Sequence, residues 1–176
     1  QVLEYVKENS LELVAVIETH AHADHLSSSQ SFKKYFPNLK VYISERIKLV
    51  QEKFKDIYEF EDFQCDGHQF DYLVKDYEEF ELADLKIKAL PTPGHTPACM
   101  SYLIGKNVFT GDSLFVEDSG TGRCDFPGGS ARDLYESVMK YIYSLPDDTA
   151  VYVGHDYGPN GRDIRCKTTV GISKLQ

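Results

Sequence analysis

No stretch of this chain approaches the roughly 18 consecutive apolar residues that a membrane-crossing helix requires. Its start lacks the charged, apolar and small-residue series of a signal peptide. The four cysteines, Cys65, Cys99, Cys124 and Cys166, stand without C-x-x-C spacing. Neither a structural zinc knot nor a disulfide framework is therefore expected, and a reducing compartment is. Blocks of like charge are absent, and a net charge of -9 spread along the chain repels nucleic acid and anionic lipid. An anionic small substrate would need a local basic patch. There is no internal repeat and no low-complexity tract. The first residue is Gln1, not Met, and the chain opens inside an amphipathic pattern of Val2, Leu3 and Val6. The expectation is a chain lacking the strands that precede it, in a protein of the cytoplasm or, given that missing start, of an organelle matrix.

What is present suits one globular domain over residues 1–176, since 41% hydrophobic and 27% charged residues allow a substantial core. Periodicity predicts a helix over 2–9 and a buried strand over 12–17, followed by a helix capped within 27–29 and running to about 35. A short strand over 39–44 and helical spacing over 45–56 follow, while 57–80, rich in Tyr, Phe, Asp and Glu, resists assignment. Alternating Leu82, Leu85, Ile87 and Ala89 lead as strands into Pro91-Thr92-Pro93-Gly94-His95, where two prolines and a glycine enforce a loop. Residues 101–104 and 107–110 pair as a hairpin across Gly105-Lys106. Ser130 caps a helix to about 143, and 149–153 is a final strand.

The densest chemistry is Thr19-His20-Ala21-His22-Ala23-Asp24-His25, directly after an apolar run. Imidazole and carboxylate are the ligands that first-row divalent ions prefer, and an open coordination position makes such a site catalytic. His95, Asp112 and His155 each follow another strand, so four strands end in a candidate ligand, as α/β sheets place their sites. The candidate metal ligands are His20, His22, Asp24, His25, His95, Asp112 and His155. His68, in Cys65-Asp66-Gly67-His68, reads as a turn residue.

H-x-H-x-D-H at 20–25, P-G-H-T at 93–96, T-G-D at 110–112 and G-H-D-Y at 154–157, in this order, resemble the metallo-β-lactamase superfamily. The resemblance implies an α/β fold, the four-layer αββα sandwich, with a metal site at one edge and the N-terminal strands absent from this chain. In binuclear members of that family His20, His22 and His95 would match the first metal, Asp24, His25 and His155 the second, and Asp112 the bridge. Such a pair of Zn(2+) ions generates a hydroxide nucleophile. That reading implies a glyoxalase II-like thioester hydrolase with one or two zinc ions.

Gly122-Arg123-Cys124-Asp125-Phe126 and Asp156-Tyr157-Gly158-Pro159-Asn160-Gly161-Arg162 are more similar to the persulfide dioxygenase and β-lactamase-hydrolase-like branch, glyoxalase II usually having Glu where Asp156 stands. That branch implies one Fe(2+) per chain on His20, His95 and Asp112, with His22, Asp24, His25 and His155 around it, and oxidation of glutathione persulfide to sulfite. A two-His-one-carboxylate set leaves three positions for a sulfur substrate and dioxygen. Asp24 and Tyr157 are the candidate catalytic groups. Arg123, Tyr157 and Arg162 are the candidate substrate contacts, Arg165 and Lys167 being further cations near the motifs, because a guanidinium can clamp a glutathione carboxylate. Cys124 reads as a small buried residue. A metal-binding module without activity is the non-enzymatic alternative. Sheet edges left open by missing strands would favour association, as in a homodimer.

Overall fold

The computed structural model describes residues 1–22 and 27–175. Its first sheet is parallel, in the order β1 (Ala15–Ile17), β2 (Lys40–Ser44), β3 (Tyr72–Val74), with α2 (Ser29–Phe32) and α3 (Ile47–Tyr58) in the crossovers and α1 (Val2–Glu8) before it. The second sheet runs β4 (Glu79–Leu82), β5 (Leu85–Pro91), β6 (Met100–Ile104), β7 (Asn107–Gly111), β8 (Ala150–Val153), β9 (Lys167–Thr169). All its pairings are antiparallel except β7 with β8, where α4 (Ala131–Ser137) and a π turn (Val138–Ile142) make the crossover. A short α5 (Val170–Ser173) follows β9.

Three apolar clusters define four layers. Ile17, Tyr42 and Val74 of the first sheet meet Phe80, Ile87, Ala89, Met100 and Tyr102 of the second, so the sheets pack face to face. On the far side of the first sheet, Ile47, Val50 and Phe54 of α3 cover Ile43 and Leu73. On the far side of the second, Leu134, Val138 and Ile142 cover Leu90, Val108 and Val151. β2 is apolar at its centre, Val41-Tyr42-Ile43, because both its faces are covered: Val41 and Ile43 are fully buried, and Tyr42 packs into the interface between the sheets. The result is the αββα sandwich that the motifs implied.

Local departures have local causes. The strand expected over 12–17 is confined to Ala15–Ile17 and half-buried, since among the described residues β1 pairs with β2 alone. The helix expected to reach about 35 ends at Phe32, with Phe36 N–H closing on Phe32 O at 2.9 Å before Pro37. Segment 57–80, unassigned by pattern, contains β3, too short at three residues to show an alternation. The helix expected over 130–143 is α-helical only to Ser137, after which the π turn carries Val138 and Ile142 onto the sheet. Ser130 does cap it, its Oγ accepting the Asp133 N–H at 3.1 Å.

Asp71 fastens the first sheet. Its carboxylate accepts the Val41 N–H at 2.8 Å and pairs with Lys33 Nζ at 2.6 Å, while its own N–H donates to Val41 O. Burial raises the Asp71 pKa, but the bonds from Lys33 and Val41 outweigh it, so the carboxyl titrates below its ordinary value. A carboxylate whose pKa falls on folding stabilises fully above its unfolded pKa, near about 4, and ceases to do so as pH drops through the lower folded value. Asp71→Asn should cost about 1–2 kcal/mol at neutral pH. The gap to the parent should narrow progressively as pH falls below the ordinary carboxylate pKa, about 4. Urea unfolding across a series of pH values from neutral downward checks this, and a gap independent of pH would refute it.

Candidate metal centre

The elements bring the ligands to one sheet edge. β1 ends at Ile17 and releases Thr19, His20 and His22; β5 leads to His95, β7 to Asp112 and β8 to His155. The first sheet's contribution is tied to the second by Met100 N–H donating to Thr19 O at 2.9 Å and Tyr102 O–H to Glu18 O at 3.2 Å. The loop carrying His95 is closed by Gly94 N–H to Thr96 O, by Ser130 N–H to Gly94 O, and by Thr96 N–H to Cys99 Sγ at 3.3 Å. Burial pushes the Cys99 thiol up to about 11, so it remains a protonated anchor.

Asp112 arrives after an irregularity. The β7–β8 register slips between Phe109 and Gly111, a bulge of the kind that re-aims a side chain beside a site. Gly111 then takes φ +53, and a Cβ there would collide with Thr19. A Cβ on Gly154 would collide with the Asp112 carboxylate itself. Ser113, next in the chain, donates to Thr92 O and Thr92 Oγ1, with Ser101 Oγ 2.9 Å from the same hydroxyl. Asp112 is thus held from both flanks in a buried position.

Three imidazoles converge on one of its oxygens: Asp112 Oδ2 lies 3.7 Å from His20 Nε2, 3.5 Å from His95 Nε2 and 3.5 Å from His155 Nε2. His95 Nδ1 faces the Arg123 carbonyl at 2.6 Å and donates to it, so a neutral ring carries its lone pair on Nε2, toward the carboxylate. That Nε2 is buried and makes no hydrogen bond. A lone pair aimed at a carboxylate oxygen from 3.5 Å is repulsive unless a cation lies between them, so the residues present fit a metal ion. Thr19 Oγ1 stands 3.1 Å from His20 Nδ1 and orients that ring similarly. Among the described residues, His20, His95 and Asp112 form a group whose ligand atoms all lie within 4.8 Å of one another. His22 packs its ring 4.7 Å from that of His95 and 5.0 Å from Phe126, beside this group. Asp24 and His25 lie outside the described residues.

A cavity of about 430 Å³ opens over His95 and Asp112, walled by Phe115, Ser119, Thr121, Gly122, Arg123 and Tyr157. Tyr157 is 69% exposed at its mouth, edge-on to Phe115 and beside His155. The Arg123 side chain is exposed, 3.3 Å from Asp125. Arg162, expected at the substrate, is committed elsewhere: its Nε donates to Asp118, its Nη1 to Asp156 and the Asp163 carbonyl, its Nη2 to both carboxylates. A guanidinium has five N–H donors, and all five have protein acceptors here. Arg165 pairs with Glu117 and Asp118, and Lys167 lies over the Tyr152 ring. Arg162 beside Asp156 holds its carboxyl far below the usual carboxylate range. Arg162 and Arg165 of the cationic rim anticipated from the sequence are therefore taken up by buried or half-buried carboxylates, whereas Arg123 pairs only with the exposed Asp125. Reading the sequence alone overlooked Phe115, Ser119 and this network; the signal was the excess of acids, Glu117, Asp118 and Asp156, facing two arginines. Cys124, expected to be buried, is half-buried against the Leu134 and Val138 cluster, and what burial it has raises its thiol; His68 sits in an exposed turn against Asp66.

A sequence profile of the metallo-beta-lactamase superfamily matches residues 2–155. The chain belongs to that superfamily. It is 49% identical over 177 residues to "Glyoxylase B2" of Dictyostelium discoideum, a match covering 99% of this chain and 60% of that protein. To the human mitochondrial "Persulfide dioxygenase ETHE1" it is 31% identical over 154 residues, covering 86% of this chain and 52% of that one. The crystal structure of ETHE1 from Myxococcus xanthus superposes with a TM-score of 0.77 at 35% identity, covering 98% of this chain and 65% of that chain. The chain thus spans about half to two thirds of the length of these relatives, and this metallo-beta-lactamase fold is related to both dioxygenase-named and glyoxylase-named proteins.

The tight seat of Asp112 gives a direct test. Gly154→Ala should displace the carboxylate and weaken metal binding about 10- to 100-fold. Metal analysis after dialysis measures it, and retention equal to the parent would show that the seat is not critical.

Proposed function

We propose that this chain carries the catalytic site of a mononuclear, iron-dependent persulfide dioxygenase acting on a small thiol persulfide such as glutathione persulfide. The carrying observation is the buried set of His20, His95 and Asp112, two imidazoles and a carboxylate with ligand atoms within 4.8 Å of one another. Fe(2+) on such a set supplies open positions for a sulfur ligand and dioxygen, the pattern of non-heme iron oxygenases. The overall reaction consumes persulfide, dioxygen and water and releases thiol and sulfite. The relative named persulfide dioxygenase supports the same reading.

The chain's own groups have separable tasks. Arg123 acts twice: its carbonyl accepts from His95 Nδ1 and so orients that ring, and its exposed side chain, beside Asp125, is the candidate cation for a substrate carboxylate at the cavity it lines. Tyr157 presents its phenol at the mouth, where it can donate to substrate sulfur or carboxylate. Phe115 and the Gly122 backbone give an apolar and a close-packed wall that restrict water around the reacting sulfur. Asp24, two positions after His22 in the sequence, keeps its place as a candidate catalytic group.

A second reading, a zinc-dependent thioester hydrolase, is favoured by two observations. His155 Nε2 also lies 3.5 Å from Asp112 Oδ2, which supports a bridging role for the carboxylate between two ions. The relative named glyoxylase is 49% identical.

Element-resolved metal analysis with an oxygen electrode separates them. Dioxygen uptake on adding glutathione persulfide to iron-loaded protein, lost by a factor of at least about 1,000 in His95→Ala, is expected. Thioester hydrolysis by zinc-loaded protein with no oxygen uptake by the iron form would replace the first reading with the second.

A further inference from the structure

We propose that Arg162 is a positioning residue: it locks the loop after β7 to the loop after β8, so that Phe115, Ser119 and Tyr157 form a single wall of the substrate cavity. The inference deepens the reading of that cavity as the substrate site and rests on it.

Phe115 and Ser119 belong to one connection, Tyr157 to another, and no strand pairing joins their tips. Besides the Ser119 Oγ bond to Asp156 and the Arg165 pairs with Glu117 and Asp118, what spans them is the Arg162 guanidinium, which holds a carboxylate on each loop. Its Nε and Nη2 hold Asp118 on the first loop; its Nη1 and Nη2 hold Asp156, at 2.5 and 2.7 Å, on the second. Asp156 stands between His155 and Tyr157 in the chain, and its side chain is 1% exposed. It accepts further bonds from Ser119 Oγ at 3.1 Å, Gly158 N–H at 3.3 Å and Arg165 N–H at 2.7 Å. Ser119 therefore touches the clamp with one end and the cavity with the other. Two carboxylates drawn to one fork would repel each other without it, because two arginines, Arg162 and Arg165, face three acids, Glu117, Asp118 and Asp156. A lysine ammonium is a point charge and cannot bridge both in this planar manner. With every donor already engaged, Arg162 has none for substrate, which separates its role from that of Arg123.

The test uses Arg162→Ala and Arg162→Lys in the full chain. The first readout is amide hydrogen exchange of the metal-free protein, which is independent of any reaction. Phe115, Ser119 and Gly122 donate N–H bonds to Gly120, Val116 and Asp112, and Gly158 and Arg165 to Asp156, so both loops carry reporters. Arg162→Ala should speed exchange in 115–122 and 155–165 together by about tenfold, with β5 to β7 unchanged and the Lys variant intermediate. The second readout is steady-state kinetics by whichever of oxygen uptake or thioester hydrolysis the parent performs. KM should rise about tenfold with metal content and kcat within about twofold, and Lys should recover part of the loss. Exchange that rises only in 158–165, or an unchanged KM in the Ala variant, would overturn the proposal. If the Ala variant fails to fold, Asp118→Asn, which removes one arm of the clamp, must show the same paired changes at smaller size, and an unchanged 115–122 there would overturn it equally. A parent that performs neither reaction would defeat the functional reading while leaving the exchange result to decide the clamp.

Discussion

A carboxylate oxygen with three imidazole nitrogens 3.5–3.7 Å away is the feature on which this molecule's architecture converges. On His95 the other ring nitrogen gives its proton to a backbone carbonyl, so in the neutral ring it is a lone pair that meets the carboxylate. Buried like-with-like contacts of this sort cost free energy in a protein without a cation. The surrounding chain nevertheless enforces it with a bulged strand, a left-handed glycine and a second glycine with no room for a methyl group. Strain and close approach gathered at one point are what a preorganised metal site requires, since the ligands must be in place before the ion can hold them together.

The sandwich supplies that preorganisation by dividing the work between its sheets. The parallel sheet brings the first histidines, the mixed sheet brings His95, Asp112 and His155, and the apolar interface of Ile17, Tyr42 and Met100 with their neighbours keeps the two in register. A backbone bond from Met100 N–H to Thr19 O carries that register to within one residue of His20. The site is accordingly a property of the packed interface and not of any single loop.

Much of this could be read from the sequence, and what could not has physical causes. Four strands each followed by a ligand type were visible as apolar runs stopping at His or Asp, and Ser130 showed itself as a cap through its spacing to Asp133. Three-residue strands such as β3 are too short for an alternation to register, and a π turn leaves the same apolar spacing as a helix. The Arg162 clamp escaped because ion pairing between residues 44 apart leaves no local pattern; a basic residue near a motif reads as a substrate contact until its partners are seen. Arg123 and Arg162 both lie beside motifs, and only geometry tells the solvent-exposed ion pair of the first from the buried carboxylate that holds the second.

The central claim is that the Asp112 carboxylate is held for a cation and not for the fold, and calorimetric melting of the parent and Asp112→Asn, with and without added Fe(2+) or Zn(2+), tests it most directly. The account predicts that the metal-free variant melts at or above the temperature of the metal-free parent, while added metal raises the melting temperature of the parent alone. A variant that is strongly destabilised without metal yet still gains the parent's full increment on adding it would contradict the account.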